Sequence, residues 1–304
     1  MRRRYKLLTK GSISDIIHFN AKKINTWEVF KLNRYTLILI AVAIFLVAIY
    51  SADAAVPKIA FIHMGDDGPF TKPALEFAKK AFDTKQLTRK QLTSTDLTQF
   101  AVVWWHDGDT DPGALTNQEI DAFLDYAKAG GAVLLTAWAI RYATPMGLED
   151  AEARQFGPVE ADGIAVGVTV LKKTENLPLW DGLENIDGKP PKAEDRIQVN
   201  STGYPKSGDY YDRIWKNFIT VANAWGPPAN DWTDRIAAFG YWRVGDGKVF
   251  NMNWRLPNFH KNNKSIDMLE KLTANTIEWL ASESAFASVS PQGKLPVVWG
   301  KIKM

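Results

Sequence analysis

The chain has 304 residues, a net charge of +3 and no cysteine, so disulfides, cysteine–zinc sites, iron–sulfur clusters and thiol catalysis are excluded. The positive charge belongs to residues 1–34, which hold nine Lys/Arg and two Asp/Glu, leaving 28 basic and 32 acidic residues elsewhere. Because this remainder is weakly acidic, it does not predict a surface that binds nucleic acid.

Residues 35–54 have the pattern of an export signal. Residues 35–50 are an uncharged, almost wholly apolar run that follows the basic residues 1–34 and precedes Ala52-Asp53-Ala54. The run is shorter than the ~20 residues of a comfortable membrane span, so a cleaved signal peptide and a retained N-terminal membrane anchor both stay open. In either case residues 1–34 stay in the cytoplasm, and the rest is expected in the periplasm or outside the cell.

The next part of the chain predicts strands and helices in alternation. Thr71 is expected to cap the first helix, and Thr116 with Glu119 forms a capping box at the start of the second, which ends at Gly130. The predicted elements are strands at residues 56–64, 100–107 and 132–136 and helices at residues 71–84 and 115–131. This order, with short loops, predicts a parallel sheet covered by helices.

The second half of the chain is less regular. Residues 163–174 have the character of a strand, and residues 234–257 predict an antiparallel pair that turns around Gly245-Asp246-Gly247. Residues 265–282 predict a final amphipathic helix with Ser265 as its cap. Residues 285–304 are expected to form a C-terminal tail.

Four segments resemble the class I glutamine amidotransferase-like superfamily. They are "FIHMGDDG" after the first strand, "LTQFAVVWWHDGD", "LTNQEIDAFLDYAKAGGAVLLTAWA", and "GDGKVFNMNW" followed by a helix that ends in "TANTIEWLA". The chain is most similar to trehalose-utilisation-type (ThuA-like) domains and related exported domains of unknown function. For residues 56–282 the resemblance implies a three-layer α/β/α sandwich with a mostly parallel, flavodoxin-like sheet, plus a C-terminal β-hairpin and helix.

The stretch "GGAVLLTAWAIRY" at residues 130–142 departs from the pattern of the superfamily. The resemblance implies a cysteine nucleophile after this strand, activated by a histidine and a carboxylate from farther along the chain. Here Thr136, Ala137 and Trp138 are the candidates. A threonine hydroxyl needs an adjacent base, and the downstream histidine is His260. We expect Thr136 only to end the strand, and the fold to have kept the geometry of a site while losing amidotransferase chemistry.

Polar residues follow each predicted strand of the parallel sheet, at the edge where such sheets bind ligands. They could hold a metal, act as general acid and base, contact a ligand, or only cap strands and form turns. The residues that we select as ligand-binding candidates are His63, Asp66, His106, Asp107, Trp138 and Arg141. Residues 107–119 match a calcium loop only in part, because Pro112 stands where glycine is needed. We therefore expect neither a metal nor a cofactor.

Tryptophan is abundant outside the N-terminal segment, with 11 of the 12 residues. Aromatic faces with polar neighbours suit sugar rings, although core packing explains many tryptophans equally well. In Trp104-Trp105 the two rings must point to opposite faces of the sheet. The sequence therefore predicts a non-catalytic domain that binds a ligand, such as a carbohydrate, or a partner protein. The alternative is a hydrolase or other enzyme that acts on a sugar or small polar substrate through the strand-end His and Asp.

Overall fold

The computed structural model describes residues 56–63, 68–108, 113–150, 166–202, 215–225, 237–252 and 257–287. The strands are β1 (Lys58–His63), β2 (Asp83–Thr88), β3 (Val102–Asp107), β4 (Ala132–Ala137), β5 (Val166–Val170), β6 (Arg196–Asn200), β7 (Ile219–Trp225), β8 (Ala237–Val244) and β9 (Gly247–Met252). The helices are α1 (Thr71–Ala81), α2 (Arg89–Leu92), α3 (Asn117–Lys128) and α4 (Ile266–Glu283). Within these ranges no helix is long and apolar enough to cross a membrane. The predicted export segment lies outside them.

All nine strands of the described residues belong to one sheet with the order β2-β1-β3-β4-β9-β8-β7-β5-β6. The half from β2 to β9 is parallel, and the half from β9 to β6 is antiparallel. The predicted α/β fold is confirmed, including the C-terminal hairpin β8–β9 and the helix α4 that follows it. The parallel half places the ends of β1, β3 and β4 side by side.

Two hydrophobic cores lie on opposite faces of the sheet, which gives the three expected layers. On one face, α1 and α4 pack against Phe61 and Trp104; we call this the α1/α4 face. On the other, α3 and the turn after β4 pack against Trp105 and Val249; we call this the α3 face. Trp104 and Trp105 are both fully buried, one on each face, as strand alternation predicts.

The start of α3 is built as the sequence predicts, whereas the start of α1 is not. The Thr116 hydroxyl accepts a hydrogen bond from the backbone N–H of Glu119, whose carboxylate accepts from the backbone N–H of Thr116. The expectation that Thr71 caps α1 is wrong, since the cap position is Phe70. The Thr71 hydroxyl instead accepts from the Gly108 N–H at 3.0 Å and so fixes the loop after β3 against α1.

Three strands were not predicted: β2, β6 and β7. The first predicted helix ends at Ala81, and Asp83–Thr88 continues as β2, whose side chains are mostly exposed. A polar strand of this kind is typical of a sheet edge, where no apolar alternation marks it. The strand β6 follows a loop rich in glycine and proline, and β7 pairs with β8 through two register shifts. Such irregular pairing weakens the period-2 signal from which a strand is predicted.

Candidate functional site

The turn after β4 has the geometry of a nucleophile elbow. Ala137 ends the strand with φ 54° and ψ −130°, and a short 3₁₀ segment, Trp138–Ala143, begins at the next residue. Side-chain-bearing residues rarely adopt a positive φ, and such conformations cluster at functional sites. A strained strand-to-helix turn presents the nucleophile in many hydrolytic enzymes. Of the three candidates, the backbone therefore selects Ala137, which carries only a methyl group.

Thr136 points away from this position, toward the α1/α4 face. Its hydroxyl accepts from the Trp104 indole N–H at 2.8 Å and lies 2.8 Å from Nδ1 of His106. The histidine next to this hydroxyl is therefore His106, whereas the sequence pattern indicated only the downstream His260. Thr136 is nevertheless 0% exposed, so this arrangement keeps its hydroxyl away from solvent.

The two strand-end histidines lie on the same face. The parallel register pairs Ile62 with Trp105, so the residues that follow them, His63 and His106, stand at one level on neighbouring strands. Each imidazole centroid lies 6.2 Å from the ring centroid of Phe61. His63 is also hydrogen-bonded to the side-chain amide of Gln86, with 2.6 Å between His63 Nε2 and Gln86 Nε2. Both histidines are buried. Together with Thr136 they form a buried polar cluster at the carboxyl ends of the parallel strands, which we call the histidine layer.

Asp107 does not join the histidines. It follows His106 directly in β3, so its side chain lies on the α3 face, where the Trp105 indole N–H donates to its carboxylate. His106 and Asp107 therefore cannot act on one group from the same side. Asp66 lies outside the described residues. Within the described part of the chain, no group of three or more His, Asp or Glu side chains could hold a metal ion.

Trp138 and Arg141 form the solvent-facing part of the site. The indole of Trp138 is partly buried, Arg141 is exposed, and the guanidinium carbon lies 5.5 Å from the indole centroid. This distance is in the range of a cation–π contact. The pair combines an aromatic surface with hydrogen-bond donors one to four residues beyond the elbow.

An ion pair that the sequence did not predict joins the start of α3 to α2. Arg89 donates through Nε and Nη2 to both carboxylate oxygens of Glu119, the second bond being 2.7 Å long. Burial alone would raise the pKa of the Glu119 carboxyl, but hydrogen bonds from Arg89 and Thr116 outweigh it and lower the pKa. Glu119 was recognised only as a cap, because nothing in the local sequence of Arg89 indicates a partner 30 residues away.

His260 lies next to the same edge but is engaged by its own loop. Its ring centroid is 5.2 Å from that of Phe70, and its Nδ1 accepts from the Asn262 N–H at 3.1 Å. The neighbouring residue Phe259 is buried and packs against His106, with 5.7 Å between ring centroids. This loop therefore covers the histidine layer on the α1/α4 face.

No known family model matches the chain, and no curated protein matches it significantly. Among solved structures, a GMP synthase-type protein from Thermoplasma acidophilum is 13% identical, with a TM-score of 0.47 over 76% of this chain and 96% of that one. PurLQS from Thermotoga maritima is 14% identical, with a TM-score of 0.44 over 74% and 99% of the two chains. An exo-β-1,4-mannosidase from an Opitutaceae bacterium is 10% identical, with a TM-score of 0.39 over 81% and 38%. At these values the likenesses carry no argument about function.

Proposed function

We propose that this protein is an exported, non-catalytic member of the amidotransferase-like proteins, of the trehalose-utilisation type, and that it binds a carbohydrate. The observation that carries the proposal is Ala137, a methyl-bearing residue held in the backbone conformation of an elbow nucleophile. A methyl group cannot attack a carbonyl, and the chain has no cysteine that could replace it.

The surroundings of the elbow support ligand binding without turnover. General acid–base catalysis needs a base and an acid that reach the same substrate atoms, but His106 packs against Trp104 on the α1/α4 face and Asp107 binds Trp105 on the α3 face. Trp138 and Arg141, by contrast, place a ring and a cation together at the surface. Sugar-binding sites use such combinations, because the ring covers the apolar face of the sugar while polar groups bind its hydroxyls.

Trp138→Ala tests the proposal by separating binding from stability. If the indole stacks on a sugar, its loss should weaken binding by roughly tenfold to a hundredfold, by analogy with the ~1–3 kcal/mol of an aromatic stacked on a nucleobase. Because Trp138 is partly exposed, the melting temperature should change little. Binding is measured by calorimetric titration of mono- and disaccharides, alongside an assay for ammonia released from glutamine.

The matched control is Trp180→Ala. Trp180 is buried, packs against Phe239 and lies on the α1/α4 face, so its loss should lower the melting temperature and leave sugar affinity unchanged. Failure of the wild type to bind any sugar would refute the carbohydrate proposal. Ammonia release from glutamine would refute the loss of catalysis.

One observation favours a second function, an enzyme that uses the strand-end histidine. The Thr136 hydroxyl lies 2.8 Å from Nδ1 of His106, which is the spacing of a nucleophile and its base. Turnover of nitrophenyl glycosides by the wild type, lost in Thr136→Ala and retained in Thr136→Ser, would support this function. We favour binding because Thr136 is fully buried.

A further inference from the structure

A buried amide in β9 stands out because it is not hydrogen-bonded. Asn251 is 0% exposed, and among the described residues neither its side-chain oxygen nor its side-chain nitrogen has a hydrogen-bond partner. Buried amides in folded proteins are nearly always paired, because an unpaired one destabilises the folded state. Asn251 is therefore a residue that weakens the fold and calls for a functional explanation.

Asn251 lies beside the elbow. Its register partners are Leu135 in β4 and Gly240 in β8. Its side chain is on the α3 face, as is that of Val249 two residues earlier. Ala137 is on the same face, one strand away and two residues farther along. From a strand spacing of about 4.8 Å and a rise of about 3.3 Å per residue, the two Cα atoms are roughly 8 Å apart.

The opposite flank of the elbow is also polar. Asp107 in β3 is the register partner of Ala137 and lies on the α3 face as well. The methyl group of Ala137 therefore has a carboxylate on one neighbouring strand and the Asn251 amide on the other. Polar groups that flank an apolar position in this way are typical of a binding site with defined orientation.

We propose that Asn251 recognises the ligand bound at the elbow by hydrogen-bonding two adjacent hydroxyl groups of a sugar ring. The amide nitrogen would donate to one hydroxyl oxygen, while the amide oxygen accepts a hydrogen bond from the neighbouring hydroxyl. Two adjacent hydroxyls offer the donor and the acceptor that the amide needs, without introducing a charge. The inference rests on the proposed carbohydrate function and names the residue that gives it specificity.

A ligand can reach Asn251 only if a covering side chain moves, and we assign that movement to Phe218. A Cβ placed on Gly240, the register partner of Asn251, would lie 2.8 Å from the Phe218 ring, so this ring lies over Gly240, beside Asn251. Phe218 itself is only partly buried. Its neighbours are the rings of Trp215 and Trp242, at centroid distances of 5.3 and 4.7 Å. The ring therefore stands at the border between the aromatic cluster and solvent.

The test is Asn251→Leu, compared with the same substitution at a buried asparagine that is satisfied. Asn275 is 6% exposed, and its Nδ2 donates to the carbonyl oxygens of Leu179 and Asp181 at 3.0 and 2.9 Å. Asn251→Leu should raise the melting temperature by about 2–4 °C, because it removes unpaired polar atoms at similar volume. Asn275→Leu should lower it, because two carbonyl groups lose their donor.

Binding is then measured on the same three proteins by titration with the same mono- and disaccharides that test Trp138→Ala. Asn251→Leu should weaken the binding of any sugar that the wild type binds by at least about tenfold, whereas Asn275→Leu should leave the affinity unchanged. A wild type that binds none of these sugars refutes the proposed function and this assignment with it. Equal sugar binding by the wild type and Asn251→Leu refutes only the role of Asn251, as does a lower melting temperature of Asn251→Leu.

Discussion

At the residue scale, Ala137 combines a strained backbone conformation, which destabilises the fold, with a buried methyl group, which stabilises it. Its φ of 54° is one that glycine adopts without strain and that costs other residues about 1–2 kcal/mol. Ala137→Gly removes this strain but also removes a buried methyl group and makes the unfolded chain more flexible. We expect these opposing effects to cancel, so that the unfolding free energy changes by less than about 1 kcal/mol.

The matched control for that prediction is Ala139→Gly. Ala139 is also buried and belongs to the same turn, but its φ is not positive, so glycine relieves no strain there. This variant should lose about 1 kcal/mol or more of unfolding free energy, which urea denaturation measures. Equal destabilisation at both positions would contradict the strain argument.

Thr136 gives a second prediction at this scale, now about stability. Its hydroxyl binds the Trp104 indole and the His106 imidazole inside the core. Thr136→Ala leaves these groups without that partner and should cost about 1–3 kcal/mol of unfolding free energy. Thr136→Ser keeps the hydroxyl and should cost clearly less. If the alanine variant is as stable as the serine variant, the hydrogen bonds contribute nothing and the prediction is wrong.

At the scale of secondary-structure elements, the start of α3 should be sensitive to acid. The pKa of Glu119 is lowered in the folded state, so its ion pair with Arg89 stabilises the fold at pH values above the ordinary carboxyl pKa of about 4.3. This stabilisation is lost as the pH falls through the lower folded-state pKa. Glu119→Gln should therefore destabilise the protein at pH 7 and much less near pH 3, as measured by urea denaturation at both pH values.

Asp125→Asn is the control for this pH effect. Asp125 pairs with Lys128 on the same helix, but both side chains are largely exposed, and such pairs contribute little. Its unfolding free energy should match that of the wild type at both pH values. A Glu119→Gln variant with the same deficit at pH 7 and pH 3 would show that packing, rather than charge, stabilises this end of the helix.

The elements also show which parts of the fold were predictable. The buried strands β1, β3 and β4 and the capping box of α3 have strong local signals, namely apolar runs and a Thr–Glu spacing of three. The edge strand β2 has no such signal because its side chains are mostly exposed. The ion pair between Arg89 and Glu119 forms because the sheet brings distant segments together, and no local sequence pattern predicts such a contact.

The candidate site, like the fold, was predictable from the sequence only in part. Strand alternation and the parallel register are enough to predict that His63 and His106 share an edge. The assignment of the nucleophile position to Ala137 rather than Thr136 required a dihedral angle, because all three residues of Thr136-Ala137-Trp138 are compatible with a turn. Asn251 was not predicted either, since one polar residue in a buried strand cannot be told from a satisfied one by sequence.

At the scale of the whole molecule, the sheet combines two halves with different roles. The parallel half brings the ends of β1, β3 and β4 to one edge, where the elbow and the histidine layer lie. The antiparallel half begins at β9, so Asn251 stands at the junction of the two. A ligand bound at the elbow would thus contact the end of the parallel half and the first strand shared with the antiparallel half.

The last prediction concerns the destination of the chain. Residues 1–34 are strongly basic and the apolar run at 35–50 carries no charge, which is the order of an export signal or N-terminal anchor. We expect either a mature protein that begins at or near Ala55, or an uncleaved chain in the membrane fraction whose C-terminal part is accessible to protease from outside the cytoplasm. Mass spectrometry of the protein from its own cells distinguishes cleavage from retention, and protease protection reports the orientation.

Replacing two residues of the run by lysine should abolish both outcomes, because each central lysine costs about 2.5–3.5 kcal/mol on insertion. An uncleaved wild-type chain found free in the cytosol would contradict export in either form.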